Sequence, residues 1–217
     1  ENKSLPDWFP SAIPPLEHAM FSDTIVFSAE ATPFSLFHLI STLSSLCVAS
    51  LRRGIAVRGG LAYGDLFHRQ DAIFGPALVE AYKLEKEVAK YPRILLAPSA
   101  LVAQKESPIT PCGDYFREDF DGLRHVDILS AYFEARRYSG TDAYRELAEM
   151  NVALSFGSGQ FKAMGVTAKW GWYRKYFDQF VARSFPQYSR EMTDDPLQLM
   201  RQTAPPINQE LSVAWYP

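Results

Sequence analysis

Three features predict an α+β fold for this chain: short β-branched or aromatic runs, apolar residues at helical spacing, and Pro or Gly punctuating both. The first run, 17-EHAMFSDTIVFSAE-30, predicts a hairpin. Met20 and Phe21 lead into a polar Ser22-Asp23 corner, and Thr24 to Phe27 returns from it. Thr32-Pro33 opens a helix with Pro at its first position; Phe37, Ile40, Leu43, Cys47 and Leu51 recur along it, and Gly54 closes it. Residues 55-IAVRGGLAYGDLFH-68 predict a strand with Ile55, Val57, Leu61 and Tyr63 on one face and Ala56, Arg58, Gly60 and Ala62 on the other. The small residues around Arg58 predict room for a ligand on that second face. After a turn at Arg69-Gln70 the chain returns through 71-DAIFG-75, and a second helix, 76-PALVEAYKLEKEVAK-90, begins at Pro76. A short buried strand over 93-RILLA-97 and a helical turn from Ser99 follow. This order predicts an α+β sandwich, a mostly antiparallel sheet with helices on one face. Beyond a Pro-rich bend, 116-FREDFDGLRHVDIL-129 predicts a hairpin turning at Asp121-Gly122, and 141–156 and 166–184 predict helices. The second of these is basic and aromatic, and is expected to dock on the domain or on a partner subunit.

The 217 residues fit one domain with an elaborated end: an irregular lead-in over 1–15, a domain over 16–140 and a helical C-terminal extension over 141–217. A net charge of −3 argues against a dedicated nucleic-acid binder, which carries a basic excess. Cys47 and Cys112 have no partner at metal-ligand spacing and suit a reducing compartment, and the four histidines are scattered, so no His-based metal cluster is visible. No apolar run reaches the ~18 residues of a membrane span, and the opening ENKSLPDWFP lacks the basic and apolar regions of a signal peptide. The expectation is a cytoplasmic protein that contacts no membrane.

Asp23 is the first candidate site residue. A carboxylate at a hairpin tip is exposed by the corner and fixed by two strands, which suits a ligand for a hard divalent cation; a turn aspartate bonding its own backbone is the alternative. Arg58, isolated among small residues, suits a grip on phosphate oxygens; a structural ion pair is its alternative.

The segments 22-SDTIVFS-28, 58-RGGLAYG-64 and 74-FGPALVEAYKLE-85, in this order, resemble the class III nucleotidyl cyclases over roughly residues 17–103. With 119-DFDG-122 their wording is most similar to the pyrimidine cyclases of bacterial antiphage signalling, the PycC family. The resemblance implies a cyclase sandwich that works as a homodimer, with each active site formed between two subunits. It implies conversion of UTP or CTP, UTP preferred, to a 3′,5′-cyclic monophosphate that activates a separate effector. Mg²⁺ or Mn²⁺ would be held in a two-metal site with Asp23 as the second metal aspartate. Arg58 would bind the terminal phosphates, and Lys83 would stand where purine cyclases place a transition-state arginine, with a solvated helix lysine as its alternative.

Several positions depart from the family pattern. The two purine-reading positions are Ala19 and Ala72, neither of which offers a side-chain hydrogen bond, and the transition-state asparagine position is Val79. Base reading is left to a segment upstream of Glu1 or to the backbone around Ile73 and Phe74, and Ala19, Ala72 and Phe74 join Arg58 in the expected substrate pocket. The first metal aspartate has no counterpart: Glu1 and Asp7 are the acidic candidates, and too few residues separate Asp7 from Asp23. An opening strand upstream of Glu1 is therefore expected. The competing expectations are a nucleotide-sensing module of the same fold without catalysis, and a palm-type polymerase or dinucleotide cyclase, whose G-G-[DE]-E-F hairpin is replaced here by Phe21-Ser22-Asp23-Thr24.

Overall fold

A computed structural model describes residues 14–70, 72–106, 115–137, 143–160 and 164–187; most of the lead-in, the Pro-rich bend with Cys112 and the tail after 187 lie outside them. The first hairpin forms where the sequence places it. Strand β1 (Glu17–Phe21) pairs antiparallel with β2 (Thr24–Ser28), Phe21 opposite Thr24, and Ser22 takes the left-handed conformation (φ 56°) that closes so short a corner. Helix α1 (Pro33–Leu51) starts with Pro33 in its first turn, and the Thr32 hydroxyl accepts the Ser35 N–H at 3.1 Å, satisfying one of the unpaired donors of the first turn.

The expected long strand over 55–68 is two short ones, β3 (Gly59–Leu61) and β4 (Phe67–Arg69), separated by Gly64 at φ 151°. Strand β5 (Ala72–Phe74) pairs with β4, and α2 (Pro76–Lys83) runs on into one wide π-helical turn, Leu84–Val88. Then come β6 (Ile94–Leu96), α3 (Pro98–Glu106), β7 (Phe116–Glu118), β8 (Arg124–Val126) and the helices α4 (Ile128–Arg137), α5 (Ala143–Gln160) and α6 (Met164–Ser184).

The architecture is α+β. Four of the five strand pairings are antiparallel, β3 with β6 being parallel. Instead of one sheet, however, the described strands form three: a four-stranded sheet in the order β3-β6-β8-β7 and two separate hairpins, β1-β2 and β4-β5. Nor are the helices confined to one face. Ile94 and Leu96 of β6 enter the main core, while Leu95, which points the other way, is equally buried. The main core gathers residues from α1, α4, α5 and α6 around the four-stranded sheet, so α5 and α6 share it with the hairpin-bearing region.

Helix α1 corrects the expectation that no segment matches a membrane span. Its best 18-residue window has a mean hydropathy of 1.6, because the serines along it carry no charge. Of that window 44% is buried inside the protein, with Ile40, Val48 and Leu51 fully covered in the core.

The Gly-Ala face around Arg58 is also filled differently from expectation. A Cβ built on Gly60 would stand 2.5 Å from the Ala81 carbonyl oxygen. Gly60 therefore lets α2 lie directly on β3, and that space is taken by helix backbone. Since the obstacle is backbone, Gly60→Ala is expected to cost about 1–3 kcal/mol through overpacking, measurable by chemical denaturation; unchanged stability would mean that α2 does not press on β3.

Candidate functional site

The expected site residues fall on three neighbouring pieces of structure. Asp23 stands at the β1-β2 corner, exposed, and its carboxylate has no hydrogen-bond partner among the described residues. The absence of a bond to its own turn removes the simplest structural reason for an aspartate there. Ala19 lies in the middle of β1, opposite Val26, and is buried. The hairpin leans on its neighbour through the Ser28 hydroxyl, which is 2.8 Å from Nδ1 of His68 in β4.

That neighbouring hairpin carries Ala72 and Phe74. Ala72 opens β5 opposite Arg69 and is exposed. Phe74 stacks on Phe67 with ring centroids 4.8 Å apart and planes 20° apart, yet remains 62% exposed. A flat aromatic surface so open to solvent suits stacking by another ring. Gly75 follows at φ 148°; a Cβ there would meet the Asp65 carbonyl at 2.5 Å, so only glycine lets β5 turn into α2 at this point.

Arg58 lies just before β3 and is partly engaged. Its Nε is 2.7 Å from a Glu85 carboxylate oxygen, and one terminal nitrogen donates to the Ala89 carbonyl at 3.0 Å. The wide turn Leu84–Val88 carries Glu85 and leads directly to Ala89, so an irregularity of the helix supplies both partners. Such irregular turns recur at functional sites. Lys83 closes α2, exposed and without a side-chain partner among the described residues. Glu80, on the same helix, accepts the Ser99 hydroxyl proton at 2.5 Å, while that hydroxyl oxygen accepts the Tyr63 N–H at 3.0 Å, tying α2 to the start of α3 and to the segment after β3.

The structure thus groups Arg58 with Glu85 and the end of α2, and keeps Asp23 on its own hairpin. Among the described residues no three His, Cys, Asp or Glu side chains stand together as a metal centre. Asp23 offers a carboxylate of the kind a hard cation takes.

Two charged clusters escaped the sequence reading. Arg93 is almost wholly buried, paired with both Asp119 and Asp121 of the 119-DFDG-122 turn, its guanidinium lying against the rings of Tyr91 and Trp172. The Trp172 indole N–H donates to Asp119 at 2.6 Å. The Arg93 guanidinium holds Asp121 below the usual carboxylate range, against the opposing effect of its burial. The second cluster surrounds Asp127, which is fully buried at the start of α4. Tyr176 donates to it at 2.6 Å, the Ser130 hydroxyl at 2.7 Å, Arg117 at 2.8 Å and Arg183 at 3.0 Å. The Asp-x-x-Ser spacing of Asp127 and Ser130 was the available signal, a helix cap without Pro or Gly to announce it.

Comparison with protein-family models, with curated proteins and with solved structures gives no match for this chain.

Proposed function

We propose that the chain is a nucleotidyl cyclase of the class III kind, acting on a pyrimidine nucleoside triphosphate, UTP in preference to CTP. The observation that carries this reading is the exposed Asp23 carboxylate at the hairpin corner, without a partner among the described residues, followed in sequence by Arg58 at the entry to β3 and by α2. In the reaction the ribose 3′-oxygen attacks the α-phosphorus in line, the bond to the bridging oxygen of the β-phosphate breaks, pyrophosphate leaves, and the 3′-hydroxyl proton passes to solvent. Mg²⁺ or Mn²⁺, when bound, would polarise the phosphate and lower the pKa of the 3′-hydroxyl. Asp23 would hold it by one oxygen. Arg58 would bind the terminal phosphates, Lys83 would neutralise charge on the departing pyrophosphate, and the base would stack on the open Phe74 ring. Ala19 and Ala72 leave purine edges without side-chain partners, which supports a pyrimidine. The chain would act in the cytoplasm as a homodimer, and the cyclic product would signal to a separate antiphage effector.

The test is incubation of the protein with Mn²⁺ and each of the four ribonucleoside triphosphates, with products identified by mass. Cyclic UMP or cyclic CMP is the expected dominant product; cyclic AMP or cyclic GMP would overturn the base preference.

A nucleotide-sensing module without catalysis is the second reading, and in both readings the Arg58–Glu85 pair must open for the guanidinium to reach phosphate. The two readings share one expectation. Arg58→Ala should weaken UTP binding about tenfold or more while leaving uridine unaffected, in line with a lost charge-assisted contact. Glu85→Gln should tighten UTP several-fold by freeing the guanidinium. Calorimetric titration measures both, and equal losses for UTP and uridine in Arg58→Ala would reduce Arg58 to a structural pair.

A further inference from the structure

A cavity of about 190 Å³ opens between the β7-β8 hairpin and α6, on residues that the reading above does not use. Asp127 forms part of its lining, and its Oδ2 accepts from both Arg117 and Arg183. Two guanidinium groups therefore stand within two hydrogen-bond lengths of each other with one buried carboxylate between them. Each keeps nitrogens that bond to no described residue: Arg117 uses only its Nε, and Arg183 uses one terminal nitrogen, for Asp127 and for the Ser130 hydroxyl at 3.1 Å. Lys175, on the exposed side of α6, adds a third cation with no partner among the described residues, and Gln179 one turn further adds an amide.

In number the acidic groups match these cations: Glu118, Asp119 and Asp127 also line the cavity. Asp119 is committed to Arg93 and the Trp172 indole, leaving the exposed Glu118 as the one carboxylate without a partner among those lining the cavity. Phe120, 65% exposed, stands beside these groups as an open ring. Guanidinium forks beside a lysine match the oxygens of a phosphate, and the ring gives a flat group a surface to lie on. The volume is below the ~300–1,000 Å³ of clefts that hold drug-sized ligands, which limits the occupant to something smaller than a nucleoside triphosphate.

We propose that this cavity binds a small phosphate monoester carrying a ring, held by Arg117, Arg183 and Lys175 with the ring against Phe120. The assignment is independent of the cyclase reading, because it shares no residue with the Arg58 region. Isothermal titration of the full chain with phenyl phosphate and with inorganic phosphate tests it, using variants at exposed positions whose fold is checked by circular dichroism. Phenyl phosphate should bind saturably. Lys175→Glu should weaken it at least tenfold. Phe120→Ala should weaken phenyl phosphate several-fold and leave inorganic phosphate as it was. No saturable binding or equal affinity in Lys175→Glu would each overturn the proposal, and equal losses for both probes in Phe120→Ala would overturn the role of the ring.

Discussion

Asp127→Ala is expected to lower the melting temperature by about 10 °C. Removing one partner of a buried charged cluster costs about 3–5 kcal/mol, and about 1 kcal/mol moves the midpoint by roughly 2–4 °C in a chain of this size. The loss is large because one carboxylate serves several elements. It caps α4 through Ser130, receives Arg117 from β7, and receives Tyr176 and Arg183 from α6. The Tyr176 hydroxyl also accepts the Leu129 N–H at 3.0 Å, so the variant leaves a buried hydroxyl with its proton unplaced. Acid titration offers a second readout. Burial pushes the Asp127 carboxyl up, but the bonds from Tyr176, Arg117 and Ser130 outweigh it and hold the group below its ordinary 3.8. A lowered folded value means that the stabilisation is complete above the ordinary value and fades as pH falls through the folded one. The stability gap between the protein and its Asp127→Asn variant should therefore be flat from neutral pH to about 4 and narrow below it. A gap that narrows already near pH 6 would mean that Asp127 is not the group responsible.

Asp23→Asn is expected to abolish cyclic nucleotide formation, by about a thousandfold or more, with no change in melting temperature. A metal ligand contributes several kcal/mol of transition-state stabilisation, and each 1.36 kcal/mol is about tenfold in rate. The unchanged stability follows from the exposure of Asp23 and its lack of a protein partner among the described residues. Product formation by mass spectrometry with UTP and Mn²⁺, beside a thermal melt, decides both halves. Turnover within a few-fold of the parent protein would remove Asp23 from the chemistry.

What the sequence disclosed was local. The Asp23 corner was legible because two polar residues interrupt runs that want to be strands, and α1 because Thr32-Pro33 is a cap followed by the residue that pre-sets helical φ. Helix α4 was missed because it follows β8 after a single residue, with Asp127 as its cap and no breaker between them. The π-helical turn after α2 left no mark, since 84-LEKEV-88 has ordinary helical composition. The long-range facts stayed hidden for a common reason. That Gly60 admits Ala81, that Arg58 meets Glu85, and that Arg93 meets the 119-DFDG-122 turn depends on which surfaces the folded chain presses together, and spacing along the sequence carries no record of it.

The shared core has a consequence for how the chain is made. Residues of α1 are buried against α4 and α5, and the same cluster takes in Trp170, Phe177 and Phe180 of α6. Emerging from the ribosome, α1 must wait for some 130 further residues before that cluster is complete, at synthesis rates of about 5–20 residues per second. During those seconds the most apolar of the described helices is uncovered. Contacts this distant in sequence also slow the search for the native state once synthesis ends. Newly made chains should thus depend on chaperones that hold apolar segments, and ribosome-bound chains stalled before α6 should remain sensitive to protease along α1, becoming resistant only after Val181 has cleared the exit tunnel.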